Sequence, residues 1–183
     1  MNLWSHAQNA DRWKLFRLGT WAHNVPMIDG CQQWVKGSGA VTQVTSGPWG
    51  SRAVLDLSSL YTNATSVVRT GTMSAGGSVY RLQDSLRGVR RNGVVRWAMI
   101  TKAAPQIDGP RVTLRQDRKV LFLEQDGAQR GAWQAQSAAG PNSWDNPNTG
   151  CTQLYFTVTA PASGEVDVAV RFSTGDASLL LLR

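Results

Sequence analysis

The chain has 183 residues, of which 42% are hydrophobic and 17% are charged. This length fits one domain with a single core, so we expect one domain over residues 1–183. The composition excludes an intrinsically disordered chain, and no apolar run approaches the roughly 20 residues that a membrane-spanning helix needs. The first 17 residues lack the apolar centre and the cleavage site of a signal peptide.

The net charge of +7 comes from 15 arginines and only 4 lysines. A guanidinium group pairs through two parallel hydrogen bonds with a carboxylate, sulfate or phosphate. The excess of arginine therefore favours an anionic partner. A solvated surface with scattered arginines explains the charge equally well.

Few side chains suit a complete active site. Two histidines and two cysteines match no familiar metal-binding spacing. The sequence has no phosphate-binding loop, nucleophile elbow or dinucleotide-binding motif, and we assign no catalytic residue. For Cys31 and Cys151 we expect two free buried thiols, with one long-range disulfide as the alternative.

A helical pattern covers only residues 9–16, and Asp29-Gly30 predicts a turn. Beyond residue 38 the hydrophobic pattern has period two and is interrupted by Gly, Asn and Pro, which predicts short strands. These strands lie within residues 51–61, 65–73, 78–88, 93–103, 111–127 (two strands), 151–161 and 164–174.

Two turns predict which strands are neighbours. Asn92-Gly93 is a hairpin signal that joins 78–88 to 93–103, and the segment Pro161 to Gly164 joins the last two strands. Short strands at this spacing predict an all-β fold, an antiparallel β-sandwich. The final apolar run, Ser178 to Leu182, predicts a last strand or a cut end.

The interval GAWQAQSAAGPNSWDNPNTG, residues 131–150, is rich in Asn, Pro, Gly and Ser. We expect a long surface loop, where binding residues often lie. Its two tryptophans, Trp133 and Trp144, are candidates for stacking on a sugar ring. The alternative is that they close the edge of the sandwich through burial.

The N-terminal stretch contains RWKLFR (12–17), AHNV (22–25) and IDG (28–30), followed by Gln33. This arrangement resembles a segment of the heparinase II/III-like polysaccharide lyases, in which an aromatic and arginine-containing stretch leads into a His-Asn hairpin. The later strands and the WDNPNTG loop follow the strand order of that family's β-domain. The resemblance covers most of the chain, and the His-Asn hairpin is its most specific part.

The resemblance implies a fold and a reaction. These lyases combine an α/α-toroid with a C-terminal β-sandwich, and they cleave uronate-containing polysaccharides by β-elimination. The family's base, acid and carboxylate clamp come mainly from the toroid and from a His-x-His-x-Asp-Gly segment, neither of which this sequence contains. His6, in Ser5-His6-Ala7-Gln8, does not match that segment. We therefore expect the C-terminal β-domain of a longer lyase, inactive alone, that packs against the missing toroid.

In this interpretation Met1 is an internal methionine of a parent that is periplasmic or secreted. With this resemblance, four residues are given candidate roles. His23 matches the histidine that completes a zinc site in some members, and the alternative is a hydrogen-bonded histidine that orders the hairpin. Arg12 and Arg17 either bind substrate anions or pair with Asp11 and Asp29. Asn24 is expected to cap its turn.

Two other functions remain open. The first is a stand-alone binding module for an acidic polysaccharide, which would use the arginines and the loop tryptophans. The second is a binder of single-stranded nucleic acid. The second is disfavoured, because the aromatic residues are not concentrated among basic residues on one strand, as stacking of bases requires.

Overall fold

The computed structural model describes residues 3–174. Within them the chain forms twelve strands and only single-turn 3₁₀ helices, at Asp11–Lys14, Phe16–Leu18, Thr20–Ala22 and Ser58–Leu60. The strands are β1 (Met27–Ile28), β2 (Ala40–Gly47), β3 (Gly50–Asp56), β4 (Ser66–Ser74), β5 (Val79–Arg87), β6 (Val94–Thr101), β7 (Ala104–Asp108), β8 (Arg111–Gln116), β9 (Lys119–Gln125), β10 (Gln134–Ser137), β11 (Thr152–Thr159) and β12 (Val166–Ser173).

The strands form two antiparallel sheets that pack face to face. One has four strands in the order β1-β6-β11-β10, and the other has eight in the order β2-β3-β4-β5-β12-β9-β8-β7. The predicted all-β sandwich is therefore confirmed. None of the helices in residues 3–174 has the length and apolar character needed to cross a membrane.

The core lies between the two sheets. Val166, Val168 and Val170 of β12 are fully buried, as are Asp84 and Leu86 of β5, because these alternate positions point toward the four-stranded sheet. From that sheet, Trp97 and Phe156 stack with ring centroids 5.6 Å apart, and Trp133 meets both rings edge to face. This aromatic cluster fills the centre of the sandwich.

The two predicted hairpins are both wrong, because each turn leads from a strand of one sheet to a strand of the other. The segment between β5 and β6 leaves the eight-stranded sheet and enters the four-stranded one, and the turn between β11 and β12 makes the return crossing. The two crossings lie side by side: the amide of Val89 donates to the carbonyl of Gly164, and Gly93 and Ala160 are also hydrogen-bonded. Asn92 has a φ of 61°, so the local turn was predicted correctly, but its partner strand was not.

The two strands predicted within 111–127 do form a hairpin. Asp117 and Arg118, with φ of 50° and 61°, form the tight turn between the predicted strands β8 and β9. Residues 9–16 form 3₁₀ turns in place of the expected helical turns. The cysteines are free, as expected, but Cys31 is exposed and Cys151 is half-buried. The predicted terminal strand at 178–182 lies outside the described residues.

The eight-stranded sheet extends beyond the sheet that covers it. Cross-strand register places Val44, Ala53, Gly71, Leu82 and Val170 in one row on the inner face of β2, β3, β4, β5 and β12. Val170 is fully buried, whereas Val44 is 70% exposed. We call the β2–β4 part of the sheet the wing, and its inner face borders an open concavity of about 480 Å³.

Candidate functional site

The loop between β10 and β11 is held in shape by its own polar side chains. The Asn148 side-chain amide donates to the carbonyl of Ala138 at 2.9 Å, and the backbone amide of Asn148 donates to the side chain of Asn146 at 2.9 Å. Asn148 has a φ of 45°, a conformation that asparagine tolerates better than most residues. The WDNPNTG segment is therefore an ordered surface feature.

Asp145 fastens this loop to the N-terminal segment. Its carboxylate accepts hydrogen bonds from the Phe16 amide at 2.8 Å and from the backbone and side chain of Asn142 at 3.1 and 3.0 Å. Asn142 also donates to the carbonyl of Lys14 at 3.1 Å. The Phe16 amide and Asn142 lower the pKa of Asp145. A Cβ on Gly140 would lie 2.3 Å from the Asp145 side chain, so this close approach requires glycine.

The junction brings Arg17 and Trp144 to the same cleft. This cleft, of about 290 Å³, is lined by both residues and by polar groups of Asp145, Asn146 and Asn148. Trp144 is 57% exposed. Arg17 is also exposed and makes no ion pair within residues 3–174. We call this the Arg17–Trp144 cleft. It combines an exposed aromatic face, a cation and amide groups.

The predicted pairing of Arg12 and Arg17 with Asp29 is wrong. Asp29 accepts hydrogen bonds from Arg90 Nε and from the Val94 amide, both at 2.8 Å, and so belongs to the crossing beside β6. Asp11 pairs with Lys14 at 2.6 Å.

Arg12 does not line the Arg17–Trp144 cleft. Its guanidinium lies 4.8 Å from the centre of the Trp13 ring and contacts both ring nitrogens of His6, at 3.3 and 3.4 Å. The structure therefore brings Arg17 into the cleft and leaves Arg12 against His6 and Trp13.

Trp133 is not available to a sugar, and its prediction as a binding residue is wrong. Its side chain is only 6% exposed, and its indole N–H donates to the carbonyl of Pro110 at 2.9 Å. It packs edge to face against the stacked rings of Trp97 and Phe156 in the core. Burial, the alternative for this residue, is correct, but Trp133 is buried in the central aromatic cluster and does not close the sandwich edge.

His23 lies in a different cleft, of about 230 Å³, with Trp13, Trp34 and the amides of Gln32 and Gln33. It is exposed, and its backbone amide donates to the carbonyl of Thr20. Zinc normally takes four ligands. Residues 3–174 contain no cluster of three His, Cys, Asp or Glu side chains that could hold a metal ion. His23 thus offers one imidazole, and the described residues alone do not fit a zinc site.

Asn24 has a structural role, but its contacts reach across the sandwich instead of capping its own turn. Its side-chain oxygen accepts a hydrogen bond from the Ile100 amide at 3.2 Å, and its carbonyl accepts one from Arg69 at 2.6 Å. Arg69 in turn forms two hydrogen bonds with buried Asp84, at 2.7 and 2.8 Å. This network fixes the His23-Asn24 segment to both sheets.

Sequence reasoning missed Asp145 and Asn142, which position the cleft. It also missed Trp21, which is 41% exposed and lines a second cleft that shares Leu15 and Phe16 with the first. Trp21 receives the Arg96 guanidinium 5.4 Å from its ring centre. The density of Asn and Asp in residues 142–148 was a signal for side chains that bond to backbone groups. No local pattern indicated that these bonds reach residues 14–16.

Comparison with known proteins shows the class of fold. No known family's sequence profile matches the chain, and no curated protein matches it. Among solved structures, the heparan sulfate lyase HepC from Pedobacter heparinus superposes with a TM-score of 0.67 at 15% identity, over 85% of this chain and 24% of that chain. A heparinase III, the BT4657 gene product, gives 0.65 at 13% identity, over 86% and 24%. Another heparinase III gives 0.65 at 12%, over 85% and 24%.

These matches show that the chain has the fold of a β-sandwich region in heparinase-type lyases. The predicted resemblance is confirmed at the level of the fold. The chain spans about a quarter of the length of these structures.

Proposed function

We propose that this chain is the β-sandwich domain of a heparinase II/III-like polysaccharide lyase that acts on a uronate-containing polysaccharide by β-elimination. The observation that carries the proposal is the fold match, which extends over 85% of the chain while covering 24% of a heparan sulfate lyase. The domain helps to bind the polysaccharide, and the rest of the lyase, an α/α-toroid, supplies the base and acid. The parent is periplasmic or secreted.

The Arg17–Trp144 cleft supports a role in binding. An arginine fork fits the carboxylate of a uronate or a sulfate, and an indole face packs against the apolar face of a pyranose ring. The Asn146 side-chain N–H groups and the Asn148 side-chain oxygen, which the loop's own hydrogen bonds leave unused, suit sugar hydroxyls in the same cleft. Because Asp145 holds the loop against residues 14–16, the two sides of the cleft are fixed before a ligand arrives.

The binding role is tested by titrating the chain with size-defined uronate oligosaccharides in a calorimeter. We expect Arg17→Ala and Trp144→Ala each to weaken binding about tenfold, since each removes a principal contact. Arg91→Ala, on the exposed turn before β6, is the charge-matched control and should change binding less than about twofold. Equal losses of affinity in Arg17→Ala and Arg91→Ala would show that the oligosaccharide responds to the overall positive charge and not to the cleft.

The lyase role is tested separately from binding. Reading the genomic frame upstream of the Met1 codon should reveal a His-x-His-x-Asp segment and a helical domain. The joined protein should release unsaturated uronate ends from a polysaccharide, detected by their ultraviolet absorbance, and the isolated chain should not. A stop codon close upstream, with binding retained, would establish the stand-alone polysaccharide-binding module instead.

For His23 we propose a role as one zinc ligand of the assembled lyase. The further ligands would have to come from outside residues 3–174, because those residues hold no metal-binding cluster. Metal analysis of the full-length parent should show loss of zinc in His23→Ala and retention in His6→Ala. Unchanged zinc content in both variants would show that His23 is not a zinc ligand and only orders the hairpin.

A further inference from the structure

The outer face of the eight-stranded sheet carries a row of arginines that none of the predicted sites uses. Cross-strand register aligns Arg52 of β3 with Thr72 of β4, Arg81 of β5 and Arg171 of β12. The same row continues through Glu124 of β9 to Arg111 of β8. We propose that this row is a second binding site for a linear sulfated or carboxylated polysaccharide, separate from the Arg17–Trp144 cleft.

The row has the dimensions of an extended ligand. Neighbouring strands lie about 4.8 Å apart, so the five steps from β3 to β8 span about 24 Å. Arg81 and Arg171 are directly opposite each other, and Arg52 and Arg111 lie two strands away at either end. A polymer that runs across the strands therefore meets a guanidinium group on four of the six strands, β3, β5, β12 and β8.

The two central arginines are in an arrangement that a sheet does not favour by itself. Like charges directly opposite on antiparallel strands destabilise the sheet. Here carboxylates offset the repulsion: Arg81 Nε lies 3.1 Å from both oxygens of Asp126, and Arg171 Nη2 lies 2.5 Å from Glu124. Glu124 is shared, since Arg111 Nε is 3.7 Å from its other oxygen.

These contacts orient the guanidinium groups without using all of their donors. A guanidinium has five N–H donors. Arg81 uses its Nε–H toward Asp126 and one Nη1–H toward Gln83 at 2.6 Å. Arg52 uses one Nη1–H toward Gln43 at 2.7 Å. The unused donors are therefore held on a fixed face, which reduces the entropy lost when an anion binds.

The surroundings of the row favour a polysaccharide over a nucleic acid. The neighbouring outer-face positions on β4 and β5 are Thr70, Gln83 and Ser85, which offer hydroxyl and amide groups to sugar hydroxyls. Single-stranded nucleic acid needs exposed aromatic rings on which bases stack. Of the exposed tryptophans, Trp144 lies in the other site, against residues 15–17, and Trp49 lies in the turn between β2 and β3, beyond the end of the strands that carry the row.

The test measures affinity for a sulfated oligosaccharide of about 24 Å or longer over a series of salt concentrations. The test variant is Arg52→Gln with Arg111→Gln, because neither change leaves a carboxylate without its closest arginine. The control with equal charge loss is Arg91→Gln with Arg118→Gln, on two exposed turns. Both doubles are repeated in a Trp144→Ala background, so that a failure of the cleft and a failure of the row are distinguished.

We expect the test double to weaken binding at least about fivefold and to reduce the slope of log affinity against log salt by about 2, one for each lost contact. The control double should change affinity less than twofold, and the difference should persist in Trp144→Ala. Oligosaccharides too short to span the row should not distinguish the doubles. Equal losses in both doubles, no loss in the test double, or tighter binding of single-stranded DNA than of the oligosaccharide would each overturn the proposal.

Discussion

The two halves of the eight-stranded sheet share one inner-face pattern but have different surroundings. In β5, β12, β9 and β8 the inner residues are buried under the four-stranded sheet, as Val170 and Leu123 illustrate at 0% exposure. The row of inner-face residues that contains Val170 continues into the wing and ends at Val44, which is 70% exposed. The pattern of alternation thus fixes which face is apolar, and the second sheet decides how much of that face is removed from water.

The wing also fills its inner face differently. Gly71 leaves room for the Tyr80 ring, because a Cβ there would lie 2.6 Å from the Tyr80 hydroxyl oxygen. Ala53 precedes Gly71 in the row. Small residues beneath one aromatic ring give the wing a shallow surface, whereas the covered half has large interdigitated side chains. Stability should therefore depend strongly on the covered half and weakly on the exposed end of the wing, in β2 and β3.

The largest expected effect comes from breaking the ion pair at the boundary between the halves. Arg69 belongs to the wing and Asp84 to the covered half, with side chains 13% and 0% exposed. Arg69→Met leaves a buried carboxylate unpaired and should lower the free energy of unfolding by about 3–5 kcal/mol in urea denaturation. Arg69→Met with Asp84→Leu should recover part of that loss. A double variant as unstable as the single would show that the charges contribute beyond their mutual pairing.

The second prediction compares identical substitutions in one row. Val170→Ala removes two buried methyl groups and should lower the free energy of unfolding by about 2–3 kcal/mol. Val44→Ala, in the same row on the exposed wing, should change it by less than about 0.5 kcal/mol. Equal losses from the two substitutions in chemical denaturation would show that the wing face is covered in solution, and the comparison would then fail.

The smallest effect is expected in acid. Burial raises the pKa of Asp29, but the Val94 amide and Arg90 outweigh it and the pKa is lowered below 3.8. The Ser58 side chain and amide lower the pKa of Asp56 at the end of wing strand β3. A lowered pKa means that each carboxylate stabilises the fold above about pH 4 and loses this effect as the pH falls through the folded-state pKa.

Asp29→Asn should therefore destabilise the protein at pH 6 and differ less from the wild type at pH 3. Asp56→Asn should give a smaller difference, because Ser58 lies two residues away and stays within reach in the unfolded chain. Thermal melts of both variants across this pH range provide the check. A difference for Asp29→Asn that grows as the pH falls would contradict the assignment.

Strand positions and tight turns were predictable from the sequence because they depend on neighbouring residues. The alternation in 111–127 predicted β8 and β9 correctly. The pairing of β5 with β6 was wrong, since an Asn-Gly turn fixes the local backbone but not the sheet that the next strand joins. Pairing depends on burial against strands more than 40 residues away, such as the contact of β6 with β11.

In the candidate site, too, the sequence indicated residue types but not which residues come together. The arginine and the loop tryptophan were recognisable as residue types, and Arg17 with Trp144 did meet in one cleft. Trp133 was equally conspicuous, yet it lies in the core. The two tryptophans are eleven positions apart, and contacts with distant segments separate them: Trp133 packs on Trp97 and Phe156, whereas Asp145 holds the loop of Trp144 against residue 16.

By itself, the sequence determined an antiparallel β-sandwich, its main strands and its turns, because these follow from local periodicity and residue type. The His-Asn hairpin motif of residues 22–33 added the resemblance to the heparinase-type β-domain. The tertiary structure decided which strands share a sheet, which tryptophan is buried and where Arg17, Trp144 and the arginine row lie. Those features depend on contacts between distant segments, such as Asp145 with the Phe16 amide and Arg81 opposite Arg171. Such contacts form only when the sheets pack, since burial then selects one pairing among many that the local pattern allows.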